Sequence, residues 1–375
     1  MAPSPYQNVP YNAPLSFTEP TWLWRRYKCF WEGTTSKTVT EQDVPAKNLS
    51  GRWIVISGAN SGIGEQAALH FAQCGANLVL ACRVSPAEKH PGAVADHCKA
   101  VARAAGHDKS SIEWWEIDMG KLKSVDALAQ RWLDTGRPLD ILCNNAGMGT
   151  NPGGLAKHIR SEDGFELVHQ VNFLSHVLLT LRLLPSLARA EAPRVVCTTS
   201  CMTYIGVYDL DNFNGAGCQG VQMYNNNKLY FQCWLTEMHT RLLQTEKYRH
   251  VTINGVHPGY VNSGIWSFKA GDGFLGWVSV VISFILQLFA NLFAISTKQG
   301  SYCIINAATS VDGGPDPSTQ GVGEKGGKGG GRYFNRIWEA RNMPHAQDPD
   351  ARLRVWRKVD DELGLTEKGL LSWTD

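Results

Sequence analysis

The sequence contains no C-x-x-C pair, no long basic block and no charged-then-apolar leader. Each absence closes a class of function. The ten cysteines (Cys29, Cys74, Cys82, Cys98, Cys143, Cys197, Cys201, Cys218, Cys233 and Cys303) mostly fall inside predicted strands and helices. They read as reduced core residues of an intracellular protein, not as a disulfide framework or a zinc site. A net charge of +2, with 19% charged residues, argues against nucleic acid as the main partner. The N-terminal layout argues against secretion. Gly321 to Gly331, GVGEKGGKGGG, reads as flexible low complexity and lacks the G-K-[ST] of a phosphate loop. What remains is an ordinary globular balance, 43% hydrophobic over 375 residues, ample for a sizeable core.

The chain is organised around Arg52 to Phe71, RWIVISGANSGIGEQAALHF. Trp53 to Ile56 is a short apolar, β-branched run, the pattern of a buried parallel strand. Glycines follow at Gly58, Gly62 and Gly64, and Glu65 to Gln73 then reads as an amphipathic helix. Strand, glycine turn and helix open a dinucleotide-binding βαβ unit. The glycines allow a tight turn and close approach of backbone N–H groups to a pyrophosphate, which faces the positive end of the helix. The spacing is G-x-x-x-G-x-G and not G-x-G-x-x-G, a weak signal until the rest of the chain supports it.

That support comes as alternation. Strands are predicted at Asn77 to Cys82, Ser111 to Ile117, Leu139 to Cys143, Arg194 to Thr198 and Val251 to Val256. Helices are predicted over Ala87 to Ala105, Lys121 to Leu133, Glu162 to Arg189 and Met223 to Thr245, with a closing helix over Asp350 to Leu363. This rhythm demands a doubly wound α/β fold, a parallel sheet with helices on both faces and no second domain.

Two segments stand apart. Residues 1–48 form a Pro-rich, polar arm that cannot make a core alone. Within it, Trp22 to Trp31 sets three tryptophans beside three cations, either an interfacial membrane anchor or an arm packing its aromatics onto the domain. Gly273 to Thr297 carries no charge and is long enough to cross a bilayer. Topology argues against a span, because a helix (Gln299 to Ser310) and a final strand (Arg332 to Phe334) beside strand six must still follow. The alternatives are a segment dipping into or lying on a membrane, a substrate lid, or a dimer face.

Asn144-Asn145-Ala146-Gly147 follows strand four, and Ser200 lies just past strand five, both at strand C-termini where ligands bind in such sheets. Tyr224 and Lys228 are four apart on a predicted helix and share a face. An ammonium beside a phenol favours the phenolate and lowers its pKa, which makes the two a proton-transfer pair. Alone, Y-x-x-x-K is a common solvated helix face. Its weight comes from occurring in order with the other motifs.

With these residues the sequence resembles the short-chain dehydrogenase/reductase family, and within it the retinol-dehydrogenase-like branch. The resemblance covers Gly51 to about Leu365. It rests on SGANSGIG, Ala81-Cys82-Arg83, Asn144-Asn145-Ala146-Gly147, Asn172, Ser200, Tyr224 to Lys228, His257-Pro258-Gly259 and the closing DPDARLRVWRKVDDELGL.

The resemblance implies that Tyr224 is the general acid in reduction and the base in oxidation. Lys228 would bind the nicotinamide ribose and depress the Tyr224 pKa, and Ser200 would hold the substrate oxygen. Asn172 would order a water relay behind Lys228, its bland alternative being a helix asparagine with a local hydrogen bond. Asp118 would bind the adenine, its alternative being a helix N-cap. Gly58, Asn60, Ser61, Gly62, Ile63, Gly64, Asn145, Pro258, Gly259, Val261 and Ser263 would surround the cofactor. Folds that prefer NAD place a carboxylate near the end of strand two. Here Cys82-Arg83 stands there, and the next acid, Glu88, is predicted inside the following helix. A cation suits a 2′-phosphate, so NADP is the expected cofactor.

Departures from the family pattern are modest. Ser57 and Ser263 stand where threonine is usual, Thr199 stands where the related branch has serine, and three asparagines separate Tyr224 from Lys228, lowering helix propensity. No chemical group is lost. The expected activity is NADP-dependent interconversion of a carbonyl and an alcohol on a large lipophilic substrate such as a retinoid, steroid, long-chain aldehyde, terpenoid or polyketide, in which case specialised-metabolite biosynthesis is one setting. The alternatives are a redox-neutral isomerase or cyclase and a non-catalytic, NADP-sensing binding protein. The expected setting is the cytoplasm or the cytoplasmic face of an internal membrane, with peripheral membrane contact through 22–31 and 273–297 and a homo-oligomer as further expectations.

Overall fold

The structure, a computed structural model, describes residues 21–34, 39–86, 88–149, 159–215, 220–262 and 294–371. An N-terminal helix, α1 (Trp22–Thr34), precedes the sheet. Alternation along the strands then decides the layers. In β1 (Trp53–Ser57), Ile54 and Ile56 enter one hydrophobic core and Val55 the other. β2 (Asn77–Cys82), β3 (Ile112–Glu116), β4 (Ile141–Asn144), β5 (Arg194–Thr198), β6 (Thr252–His257) and β7 (Tyr333–Asn335) pair in parallel with it in the order β3-β2-β1-β4-β5-β6-β7. A two-residue β8 (Trp338–Glu339) closes the edge antiparallel to β7. This is the doubly wound sheet that the alternation demanded.

One core lies under α2 (Gly62–Gln73), α3 (Pro91–Ala104) and, later in the chain, the helix over Thr297–Thr309. The other lies under α4 (Leu122–Asp134), α5 (Leu167–Leu187), α6 (Gly220–Gln244) and the closing helix over Pro349–Leu363. In chain order the helices over Thr297–Thr309 and Pro349–Leu363 are α7 and α8. Because β1 sits between β2 and β4, the winding reverses there, and a crevice opens beyond the C-terminal ends of β1 and β4. Among the described residues, α5 alone is long and apolar enough to cross a membrane, but 83% of its most apolar stretch is buried, as expected of a core helix.

Several sequence expectations need correction. α3 starts at Pro91, not Ala87: the proline occupies the first turn, where its missing N–H costs nothing, and His90 Nδ1 caps the Gly92 amide at 3.1 Å. Glu88 is therefore in the loop, while Ala87 lies outside the described residues. α5 starts at Leu167, with Glu166 capping the His169 amide at 2.8 Å, and contains a π turn over Gln170–Leu174.

The Gly321–Gly331 stretch is also not loose. Gly330 N–H donates to His239 Nε2 at 3.0 Å and Gly331 N–H to the Ile253 carbonyl at 2.7 Å. A Cβ on Gly330 would lie 2.7 Å from both His239 Nδ1 and that carbonyl, so glycine is required there for close approach.

α1 docks with its polar side. Arg25 donates to the Tyr204 and Gly206 carbonyls, both at 2.6 Å. The buried Glu32 carboxylate accepts from Tyr204 Oη at 3.1 Å and Tyr333 Oη at 3.0 Å, with Lys28 at 2.9 Å. Leu23, Trp24, Tyr27, Phe30 and Trp31 are 43–74% exposed and fall at i, i+1, i+4, i+7 and i+8, one outward stripe. The polar bonds of Arg25 and Glu32 fasten this arm together with Trp24, whose ring packs edge-on against Tyr204 at 6.1 Å.

Of the 273–297 segment, only residues 294–297 are described. The chain passes out of the described region after Asn262 and re-enters it beside the same point: Asn262 N–H donates to the Ile295 carbonyl at 3.0 Å, and Ile295 N–H to that of Tyr260 at 2.9 Å.

Candidate active site

The crevice is built first by the glycine turn after β1. Gly58 (φ 67°) and Gly62 (φ 60°) adopt left-handed backbone that favours glycine. A Cβ on Gly64 would lie 2.3 Å from the Gly58 carbonyl and 2.4 Å from Asn145 Nδ2, so this glycine lets α2 close on the turn. A Cβ on Gly62 would meet nothing within 4 Å. The N-terminus of α2 therefore opens onto space at Gly62, the cradle a pyrophosphate requires.

β4 is stitched to that turn. Ser57 Oγ accepts from the amides of Asn145 (2.9 Å) and Ala146 (3.0 Å), and Asn145 Nδ2 donates to the Ser57 and Gly58 carbonyls at 3.0 and 3.2 Å. The Asn145 side chain thus secures the turn, and what it offers the crevice is backbone. The serine that replaces the usual threonine supplies the one group used there, its hydroxyl.

Asn172 works in the same way one layer back. Its Oδ1 accepts from Met148 N–H and its Nδ2 donates to the Met148 carbonyl, both at 2.8 Å. The side chain clamps the loop after β4, so any part in a water relay falls to its backbone within the π turn. One helical turn on, buried His176 donates from Nε2 to the Ala146 carbonyl at 2.8 Å, and burial lowers its pKa to about 4, which keeps it neutral. Sequence reasoning missed His176; its place four residues after Asn172 was the available signal.

The chemical groups meet at the ends of β5 and α6. Ser200 hydrogen-bonds Tyr224, and its Oγ also accepts the Met202 amide at 3.2 Å. Lys228 Nζ donates to the Thr198 carbonyl at 2.8 Å and lies 5.4 Å from the centre of the Tyr224 ring. Burial holds the Tyr224 phenol well above its ordinary pKa, and the Ser200 hydrogen bond only partly offsets this. Burial also brings the Lys228 ammonium down to about 8. The expected depression of the tyrosine is thus outweighed by desolvation, and Tyr224 is a proton-bearing phenol. Met223 and Val168 pack with Tyr224, flanked by Met148 and Met202, making an apolar and polarisable wall. Cys29 of α1 contacts Met202 and Cys201, each S–S distance 3.7 Å, so the N-terminal helix reaches this wall.

Two of the three asparagines that weaken the helix on paper are used. Asn226 Oδ1 accepts from Val207 N–H at 2.8 Å, and Asn227 Oδ1 meets His169 Nδ1 at 2.7 Å, fastening α6 to its neighbours. Elsewhere around the crevice, Gly259 has φ 94°. A Cβ on Gly300 would lie 2.7 Å from Val261 and 2.8 Å from Ile63, which brings the loop of Pro258 to Val261 against the glycine turn. Half-buried Asp118 closes a local turn through Gly120 N–H at 2.9 Å, while the residue at the α4 N-cap is Lys121, which removes the N-cap alternative. Arg83 is exposed at the end of β2, and Ser263 lies outside the described residues.

The sequence model described as "short chain dehydrogenase" matches residues 52–271, more than half of the chain. The chain belongs to the short-chain dehydrogenase family. Within it, this dehydrogenase groups with the retinol-dehydrogenase-like branch. It is 29% identical to retinol dehydrogenase 13 of Homo sapiens over 87% of this chain and 89% of that one. It is also 29% identical to polyprenol dehydrogenase of Mus musculus over 82% of both chains. It is 31% identical to a WW domain-containing oxidoreductase of Danio rerio, over 83% of this chain and 68% of that one. Among solved structures, an uncharacterised protein from Mycobacterium Paratuberculosis superposes with TM-score 0.59 at 23% identity, covering 87% of this chain and 97% of that chain. That likeness shows the fold. As an oxidoreductase of this family, the dehydrogenase has the parts its chemistry needs in one crevice: a cradle, a neutral phenol, a hydroxyl and an ammonium.

Proposed function

We propose that this dehydrogenase interconverts a carbonyl and an alcohol on a lipophilic substrate with NADP as cofactor. The observation that carries the reading is the hydrogen-bonded Ser200–Tyr224 pair, with Lys228 one turn away, at the same sheet edge as the open glycine turn. The residues fit the cofactor: Gly62 leaves room at the α2 N-terminus, and Lys228 spends one N–H on Thr198, leaving two for ribose hydroxyls. When bound, the nicotinamide supplies or accepts hydride. Tyr224 then gives its phenolic proton to the substrate oxygen in reduction, and Ser200 holds that oxygen. Arg83, a solvent-facing cation at the end of β2, supports NADP over NAD.

The methionine-flanked wall beside Tyr224 supports an apolar substrate, and the uncharged 273–297 stretch is consistent with one. Retinoids, polyprenoids and steroids share a large apolar body that carries an oxygen. The outward stripe of α1, with Arg26 and Lys28 on the same helix, supports peripheral contact with a membrane, where such substrates dissolve.

The test is NADPH oxidation against a panel of lipophilic aldehydes and ketones, comparing wild type with Tyr224→Phe. Loss of about 10²–10⁴-fold in the variant is expected of a missing general acid. NADPH binding without turnover in the wild type would replace this reading with redox-neutral chemistry or a sensor. For the cofactor, Arg83→Glu is expected to raise the KM for NADPH strongly and that for NADH much less; equal effects would sink the assignment.

A further inference from the structure

The loop between β2 and α3 does something that neither Arg83 nor the glycine turn accounts for. Glu88 reaches back onto the turn: Asn60 Nδ2 donates to its Oε2 at 3.2 Å and Ser61 Oγ to its Oε1 at 3.5 Å. Its neighbour holds it there. The Lys89 carbonyl accepts from the same Asn60 Nδ2 at 3.3 Å, and Lys89 Nζ pairs with Glu65 of α2 at 2.5 Å. Asn60 is buried, so its amide donors have few other directions in which to be satisfied. Among the described residues, no ion pair joins Glu88 to Arg83, so the carboxylate's charge is not consumed by the cation on its own loop.

We infer that Glu88 is a second cofactor-selectivity residue, an anion docked on the donors of the glycine turn that opposes the preference set by Arg83. The inference rests on the proposed use of a nicotinamide dinucleotide. A carboxylate accepts hydrogen bonds from a ribose 2′-hydroxyl but repels a 2′-phosphate. It stands 24 residues after Gly64, close to the sequence distance at which acids bind that hydroxyl in related folds, but it arrives from the loop instead of the strand end. For NADPH to bind well, Glu88 has to leave Asn60 and Ser61, and those two donors then become available to the phosphate. The chain therefore carries one residue for each cofactor, and the balance between them is set by a side chain that moves.

The experiment measures Kd for NADPH and for NADH on the cofactor-free protein by calorimetry, for wild type, Glu88→Gln and the double variant Glu88→Gln with Asn60→Ala. Glu88→Gln keeps the shape and an amide oxygen for Asn60, so unchanged thermal unfolding controls for the fold. Expected is about tenfold tighter NADPH with NADH unchanged or weaker, the size of one screened like-charge repulsion. Asn60→Ala is expected to weaken NADPH in the Glu88→Gln background, where the freed amide would serve the phosphate. A Glu88→Gln protein whose NADPH-to-NADH ratio of Kd matches wild type overturns the inference. A wild type that binds NADH more tightly than NADPH overturns the NADP reading instead, and a ratio shifted by Glu88→Gln would still support the role of Glu88.

Discussion

Lys228 donates a 2.8 Å hydrogen bond to the carbonyl of Thr198, and through it the helix bearing Tyr224 is tied to the strand that leads into Ser200. The bond fixes two chemical groups relative to each other with the side chain of a third. It also buries an ammonium, and burial lowers that ammonium to about 8 from an ordinary 10.5.

Two pH effects follow from that lowered value. On the proposed role of Lys228 at the ribose, carbonyl reduction should lose kcat/KM as the pH rises above about 8, because the free enzyme then loses the positive charge of its ammonium. Stability should move the other way. Between about 8 and 10.5 the unfolded chain binds more protons at this lysine than the folded one, so folding gains as pH rises. Lys228→Met removes the effect. In urea unfolding of cofactor-free protein, the wild type should gain on the variant by up to about 3 kcal/mol across that window. A difference independent of pH would contradict a buried, lowered ammonium.

Asn172 yields a separate prediction because both its amide atoms are committed to Met148. Asn172→Ala leaves the half-buried Met148 N–H and C=O without this partner, at a cost of about 1–3 kcal/mol. Asn172→Asp retains the acceptor but sets an anion against the Met148 carbonyl, so it should cost at least as much. Thermal unfolding measures the first loss. Turnover should fall further than the stability does, since the released loop is the one held against the glycine turn.

Much of this arrangement was legible in the sequence, and the exceptions have physical reasons. Strand runs such as Trp53 to Ile56 and Asn77 to Cys82 sit nearly where their apolar content puts them, because strands buried on both faces have little other use for such residues. α1 was hard to read for the opposite reason. Its docked face carries Arg25 and Glu32 and its free face carries the aromatics, so hydrophobic periodicity points away from the domain. Glu88 was misplaced by extending a helix through Lys89 and His90, although Pro91 marked the true start. The Gly321–Gly331 stretch looked unstructured because its order comes from backbone bonds to β6 and α6, which composition does not encode.

Two glycines of the first turn, Gly64 and Gly62, should separate by mechanism. Gly64→Ala forces a Cβ within 2.3 Å of the Gly58 carbonyl and should abolish cofactor binding or folding. Gly62→Ala meets no atom but strains a residue at φ 60°, which costs about 1–2 kcal/mol. The Gly62 variant should therefore fold with a lower Tm and lose NADPH affinity chiefly through crowding of the space the phosphate needs. Circular dichroism melts together with calorimetric Kd values distinguish the two, and equal behaviour would mean that the turn is not the cradle.

Membrane contact makes the last prediction, and α1 allows a clean test because its two faces have different duties. Changing Leu23, Phe30 and Trp31 together to serine alters exposed positions and spares Trp24, whose ring packs edge-on against Tyr204 at 6.1 Å, along with Arg25 and Glu32 on their partners. Fold and turnover of a water-soluble aldehyde should persist. Co-sedimentation with anionic phospholipid vesicles should drop, since each large side chain that leaves the interface forfeits apolar burial of about 1.5–3 kcal/mol. If lipophilic substrate reaches the site from the bilayer, the variant should also lose rate on vesicle-dissolved substrate while keeping it on the soluble one. Full vesicle binding by the variant would remove α1 from the interface and leave 273–297 as the segment to test.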